Sequence, residues 1–324
     1  MITLIPYSPQ WADEWNALVA ESRNGTFLLD RRFMDYHSDR FCDASLLFAD
    51  NRQHIIAVLP ANYEPASATV WSHQGLTYGG LITSRRMLTS QILEAMTLAC
   101  QHFAAMGATR LAYRPTPYIY YNAPAQEDLY FLFSHGATLA ARMLSQTIYL
   151  PDAIPLNTLR RRCMRKSVTA GNQVEEAHDV TLFWHLLNRN LQERHGVRPV
   201  HSIDELHLLM SRWPDRIRLF VVKNSGGETI AGTVVFDCGR VVHTQYIAAN
   251  DKGKRTGALD QLFDQLICRT FADRQYFDFG VSTEKGGAVL NEGLTLQKES
   301  FGGRGVCYDT WQLNLFEFSQ SNKM

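Results

Sequence analysis

The chain has 324 residues, 45% of them hydrophobic and 20% charged, the balance of an ordinary globular protein with room for two domains. Lys+Arg and Asp+Glu both number 32, so the formal net charge is +0 and no global positive surplus draws the chain to DNA. Cys42, Cys100, Cys163, Cys238, Cys268 and Cys307 stand singly, without zinc-ligand spacing, which predicts no metal and the reduced thiols of a cytoplasmic protein. No secretory signal opens the sequence, and no stretch reaches the roughly 20 apolar residues that cross a bilayer.

Taken in order, the first half predicts strands at Ala44–Phe48, His54–Pro60 and Thr69–His73. A helix over 89–106 follows, with Ile92, Met96, Cys100 and Phe103 on one stripe and Gly107 as its stop. A strand at Thr109–Tyr113, a short helix at Ala125–Ser134 and a strand at Leu144–Leu150 complete the half. Leu156–Gly171 and Val180–His195 have helical period, and Ser202-Ile-Asp-Glu205 is a capping box whose helix should end near Trp213, before Pro214. The second half then repeats the order of the first. Strands at Ile217–Val222, Thr229–Asp237 and Val241–Ala248 precede an amphipathic helix carrying Leu259, Leu262, Phe263, Leu266 and Ile267. Tyr276–Phe279, a helix at Ala288–Glu299 and a closing strand at Val306–Leu315 follow, before a polar tail at Ser319–Met324. Two related α/β units are expected, 1–152 and 153–324, divided where Pro151 and Pro155 interrupt the pattern.

The loop Asn250–Gly257 is rich in glycine and positive charge and opens directly into the amphipathic helix. Helix entrances present unpaired N–H groups at the positive end of the dipole. Gly253 and Gly257 would let a phosphate approach, Lys252, Lys254 and Arg255 would supply charge, and Thr256 would cap the helix. The same composition also suits a solvated turn.

A strand, a basic glycine-containing loop, an amphipathic helix and a second strand resemble the core of the GNAT N-acyltransferase superfamily. Leu76–Leu81, Val200–Leu206, Val242–Ile247, Asn291–Leu294 and Lys298–Gly302 are similar to the tandem-domain, Fem-related branch. The resemblance spans about Thr26 to Leu315, although Asp251–Ala258 matches the usual superfamily loop pattern only loosely. It implies two GNAT-like domains, each a mixed, mostly antiparallel sheet flanked by helices, with the donor site in the second. Acyl-CoA is the implied co-substrate, with no permanently bound cofactor, and the implied acceptor is an amine such as an amino sugar in cell-surface polysaccharide synthesis. Two other expectations stay open: an aminoacyl-tRNA-dependent transferase acting on a peptidoglycan precursor, and a catalytically silent binding or scaffold protein.

An amine attacking a thioester must lose a proton, and His243 is the expected base, although a histidine on an apolar strand is also a common core residue. Strand alternation puts His243, Gln245 and Ile247 on one face, so His243 and Gln245 could serve one pocket. Asp278, in an aromatic strand, needs a partner, and Lys298 is the expected one. Asn291 and Lys298 share a helix face and could wall an acceptor pocket with His201. Tyr78 and the cluster containing Tyr120 would form either a sugar platform or packing. Arg160–Lys166 reads as a solvated helix, and as the place for phosphate contacts were the donor a tRNA.

Overall fold

The computed structural model describes residues 1–320 and divides them into two compact units. The polar tail expected over 319–324 lies, from residue 321 on, outside the described residues.

The first unit holds β1 (Thr3–Pro6), β2 (Cys42–Asp43), β3 (Leu46–Ala49), β4 (Ile55–Leu59), β5 (Asn62–Glu64), β6 (Thr69–Trp71), β7 (Ile82–Thr83) and β8 (Arg110–Tyr113). Its helices are α1 (Ala12–Glu21), α2 (Arg31–Met34), α3 (Thr89–Ala105) and α4 (Glu127–Ser134). Strands β1, β3, β4 and β7 form an antiparallel sheet, and β2, β5 and β6 pair in turn before β6 meets β8 in parallel. The predicted stripe of α3 is buried as Ile92, Met96, Cys100 and Phe103. That stripe packs against Leu46, Phe48, Leu59, Val70 and Leu111 in one apolar core.

The second unit holds β9 (Thr138–Tyr149) from Leu144 onward, β10 (Gln173–Ala177), β11 (Ile217–Lys223), β12 (Thr229–Asp237), β13 (Val241–Ala249), β14 (Tyr276–Val281), β15 (Thr283–Glu284) and β16 (Val289–Leu290). Its helices are α5 (Thr158–Thr169), α6 (Thr181–His195), α7 (Ile203–Arg212), α8 (Asp251–Thr256), α9 (Ala258–Gln265) and α10 (Glu292–Glu299). Strands β10 to β13 form an antiparallel meander, β13 meets β14 in parallel, and β14 lies antiparallel to β9. The capping box at Ser202 and Glu205 is formed. The face of α9 closes over the sheet: Leu262 and Phe263 join Val235, Val242, Phe277, Phe279 and Phe301 in the core. From Cys307 the chain returns to the first unit, where β17 (Arg304–Asn314) pairs antiparallel with β8, and α11 (Phe316–Gln320) ends the described residues.

Among the described residues each unit has a parallel pair of named strands, β6–β8 in the first and β13–β14 in the second, and the two pairs end differently. In the first unit the pair closes at Trp71 opposite Ala112, and the run Leu76–Leu81 fills the space beyond it. Gly79 N–H donates to the Arg114 carbonyl at 2.8 Å, and the Gly79 carbonyl accepts from Thr116 Oγ1 at 3.0 Å. A Cβ on Gly79 would stand 2.0 Å from the Ser72 carbonyl oxygen, so only glycine fits there. The Leu81 N–H donates to the Tyr113 hydroxyl at 2.6 Å, which donates in turn to Asp128 Oδ2 at 2.6 Å.

Asp128 is buried without an ion pair among the described residues. Burial raises its carboxyl to about 6, against the opposing hydrogen bonds of Tyr113 and the Leu129 N–H. A carboxyl raised above its unfolded value stabilises the fold in its neutral form, below about pH 4. It loses that contribution, roughly 3 kcal/mol, as pH rises through the raised value. Tyr113→Phe should cost about 2 kcal/mol, and more at pH 8 than at pH 5, because the ionised carboxylate needs the hydroxyl more. Denaturant titrations at the two pH values measure this; an equal cost at both would contradict the assignment.

Candidate active site

The ladder between β13 and β14 pairs Val241 with Tyr276, Val242 with Phe277 and His243 with Asp278, and goes no further. Beyond that point β13 follows β12 to Ala249, while β14 follows β9 to Val281. The strands part, and the last pair before the opening is a histidine opposite an aspartate.

That pair is hydrogen-bonded. His243 Nδ1 lies 2.8 Å from Asp278 Oδ2, and Asp278 is fully buried. Asp278 Oδ1 accepts from Ser145 Oγ at 2.5 Å and Thr147 Oγ1 at 2.7 Å, with the Gly280 N–H at 3.3 Å. Burial works to raise this carboxyl, but His243 and the two hydroxyls outweigh it and hold it at about 2. The carboxylate is thus ionised and fixed by donors on three sides.

Lys298, expected as the partner of Asp278, has its ammonium on the carbonyls of Gly280 and Val281, at 2.8 and 2.9 Å. Burial pushes Lys298 down to about 8, and the Asp278 charge acts on it only as the weaker, opposing influence. Gly280 has φ +76°, and a Cβ there would stand 3.2 Å from His243 Cε1, so this glycine is required both by its backbone and by the imidazole beside it.

Gln245 is the extra residue of a β-bulge: Val234 pairs with Tyr246 and Val235 with Thr244. The bulge breaks strict alternation. By register His243 stands on the side of Phe236 and Tyr246, and Ile247 on the opposite side with Thr233, so the single face expected for His243, Gln245 and Ile247 is not formed.

A cleft of about 300 Å³ lies between the parted strands and the helices above them. Ile247, Ala248 and Ala249 of β13, Phe279 of β14, Leu259 and Phe263 of α9, and Leu294 and Lys298 of α10 line it, with Lys254 at one side. Apolar side chains make up most of its walls, and Asn190, Lys254, Gln297 and Lys298 supply the polar groups, a mixed composition that suits a small-molecule site.

The segment expected as a loop, Asn250–Gly257, is instead a helical turn. Asn250 Oδ1 accepts from the Gly253 N–H at 2.8 Å and caps α8. Thr256 ends α8 and donates to the Lys252 and Gly253 carbonyls, so it does not cap α9, which opens at Gly257 with φ +79°. Both glycines are explained by packing: a Cβ on Gly253 would stand 2.3 Å from the Ile230 carbonyl oxygen, and one on Gly257 2.5 Å from that of Cys163. Lys252 pairs with Glu228 at 3.4 Å and Lys254 with Asp251 at 3.1 Å, while Arg255 is exposed without an ion pair among the described residues.

The remaining expected contacts lie elsewhere. Tyr78 and Tyr120 are buried, their rings 4.8 Å apart; Tyr78 bonds Thr26 and Tyr120 bonds Tyr308, so they form packing rather than a platform. His201 is buried with Nδ1 2.5 Å from the Tyr246 hydroxyl. Asn291 caps α10 by accepting from the Leu294 N–H at 3.0 Å. The structure therefore brings together His243, Asp278 and the Lys298 clamp, and adds Ser145, Thr147 and Gly280, which the sequence reading missed. Among the described residues no three His, Cys, Asp or Glu side chains gather to hold a metal, and no helix is long and apolar enough to cross a membrane.

Residues 158–285 match the family model described as acetyltransferase (GNAT) domain. No curated protein matches the chain in sequence. Among solved structures, FemX has a TM-score of 0.69 at 11% identity, covering 99% of both chains. L-PGS from Bacillus licheniformis has a TM-score of 0.59 at 14% identity, covering 95% of this chain and 92% of its own. A conserved protein of unknown function from Bacteroides thetaiotaomicron has a TM-score of 0.62 at 9% identity, covering 97% and 100%. At such identities the likeness concerns the fold. Residues 158–285, which carry the parted strands, thus match a GNAT acetyltransferase domain, and the whole chain shares its fold with FemX.

Proposed function

We propose that the protein transfers an acyl group from acyl-CoA to an amine, with an amino sugar of a cell-surface glycan precursor as the acceptor class. The observation that carries this reading is the end of the β13–β14 ladder at His243 and Asp278, with a cleft of about 300 Å³ lined by Ile247, Ala248 and Ala249 of β13 and Phe279 of β14 past that point. On this reading the amine attacks the thioester carbonyl, His243 Nε2 takes its proton, and the unpaired backbone at the Gln245 bulge faces the charge that develops on oxygen. Asp278 holds the imidazole through Nδ1. Lys298 keeps β14 bent away from β13 through its two carbonyl contacts. The carrier's phosphates would meet Arg255, which has no ion pair among the described residues, and Lys254, whose surface pairing with Asp251 is too weak to exclude an anion.

A second reading, with an aminoacyl-tRNA donor, is favoured by one feature. Arg161, Arg162, Arg165 and Lys166 are exposed on α5 with no carboxylate partner among the described residues. Tight tRNA binding without CoA affinity would put that reading first.

Two outcomes test the acyl-CoA reading. Lys254→Glu with Arg255→Glu should weaken acyl-CoA binding about tenfold in calorimetry, and more at low salt. Unchanged affinity would remove the phosphate assignment. His243→Ala should lower the transfer rate by roughly 10²–10⁴-fold with the fold preserved. A rate within twofold of the parent would make His243 structural and favour a silent GNAT-like protein.

A further inference from the structure

We propose that the His243–Asp278 pair also drives acyl transfer to a hydroxyl, water included, so that the protein releases free acid from its donor when no amine is bound. The proposal rests on the reading of the β13–β14 cleft as an acyl-CoA site.

The geometry of the pair is more than an amine requires. An amine is already a good nucleophile once neutral, and any nearby base suffices to clear its proton. A hydroxyl must lose its proton as it attacks, so it needs an imidazole of fixed tautomer whose cation is stabilised as it forms. His243 and Asp278 meet both requirements. The carboxylate is fully buried, and Oδ1 is occupied by Ser145, Thr147 and the Gly280 N–H, which leaves Oδ2 to hold the Nδ1 proton. His243 Nε2 has no hydrogen-bond partner among the described residues and is not among the buried unpaired atoms, so it is open to solvent. The side chain of His243 is 14% exposed, enough to meet a small nucleophile at the point where the strands part.

The fold itself does not call for this pair. In the first unit the corresponding parallel ladder ends with Trp71 opposite Ala112, and the sheet is built there without an acid or a base. Ser145 and Thr147 are then positioning residues: they act through Asp278 and touch neither donor nor acceptor. The Gly280 carbonyl, held by Lys298, ties the α10 wall of the cleft to the same carboxylate through the Gly280 N–H.

The step balances without a further reactant. The hydroxyl oxygen bonds to the thioester carbonyl carbon as its proton passes to His243 Nε2. The tetrahedral intermediate collapses, the carbon–sulfur bond breaks, and the imidazolium returns the proton to the departing thiolate. With water the products are the carboxylic acid and CoA; with an alcohol they are an ester and CoA.

The test uses the full chain with acetyl-CoA and no amine. Released CoA is followed by chromatography rather than a thiol reagent, because Cys42, Cys268 and Cys307 are exposed. CoA should form well above the protein-free blank, and His243→Gln should reduce the rate about 100-fold or more. Ser145→Ala with Thr147→Val should lower kcat about tenfold while KM and the acetyl-CoA Kd stay unchanged, a split that a general loss of packing would not give. Melting curves and calorimetric acetyl-CoA binding accompany each variant. Binding with no release above the blank, or with equal release by parent and His243→Gln, would overturn the proposal and leave the cleft assignment standing. No binding by the parent would overturn the cleft assignment, and the proposal with it.

Discussion

The second unit depends on where a parallel ladder stops. β13 and β14 share three register pairs and then each keeps only its outer neighbour. Strand separation leaves backbone groups on the inner edges without a ladder, a costly state that persists where a ligand or solvent can occupy the gap. Several devices keep the strands apart. The bulge at Gln245 re-aims β13, a register shift bends β14 between Asp278 and Val281, and Lys298 holds the carbonyls at that bend.

The electrostatics follow from the same place. A buried carboxylate without partners would cost several kcal/mol, and in this structure the hydroxyls of β9 and the imidazole of β13 offset that cost. Lys298 is desolvated nearby, satisfied by carbonyl oxygens rather than by a carboxylate. The first unit fills the corresponding gap with its own chain through Gly79, and its buried carboxyl, Asp128, is raised because burial outweighs the hydrogen bonds from Tyr113 and the Leu129 N–H. One strand arrangement thus supports an open cleft in one unit and a closed one in the other.

Much of this was legible in the sequence. The stripe of α3, the capping box at Ser202 and the strands at Ile217, Thr229 and Val241 follow from periodicity and end chemistry, which are local. His243 and Asp278 were visible as residue types in the right strands, but their contact needs the parallel register, which is not local. The bulge left no mark, because an extra residue in an apolar strand looks like any other residue. Asn250–Gly257 read as a loop because Gly253 and Gly257 suggest freedom, whereas both are required by close approach to carbonyl oxygens of Ile230 and Cys163. Ser145 and Thr147 had a usable signal: two hydroxyls two positions apart on one strand face, pointing at whatever the neighbouring strand buries. Tyr78 and Tyr120 look alike as platform or as packing until burial is known.

On the proposed reading the gap between β13 and β14 holds a thioester next to His243. A crystal structure with a non-hydrolysable acyl-CoA analogue measures this most directly. The analogue's acyl carbonyl is expected between the parted strands, within reach of His243 Nε2 and of the backbone at Gln245. Density for the analogue elsewhere, with the cleft beside Phe279 and Lys298 unfilled, would contradict it.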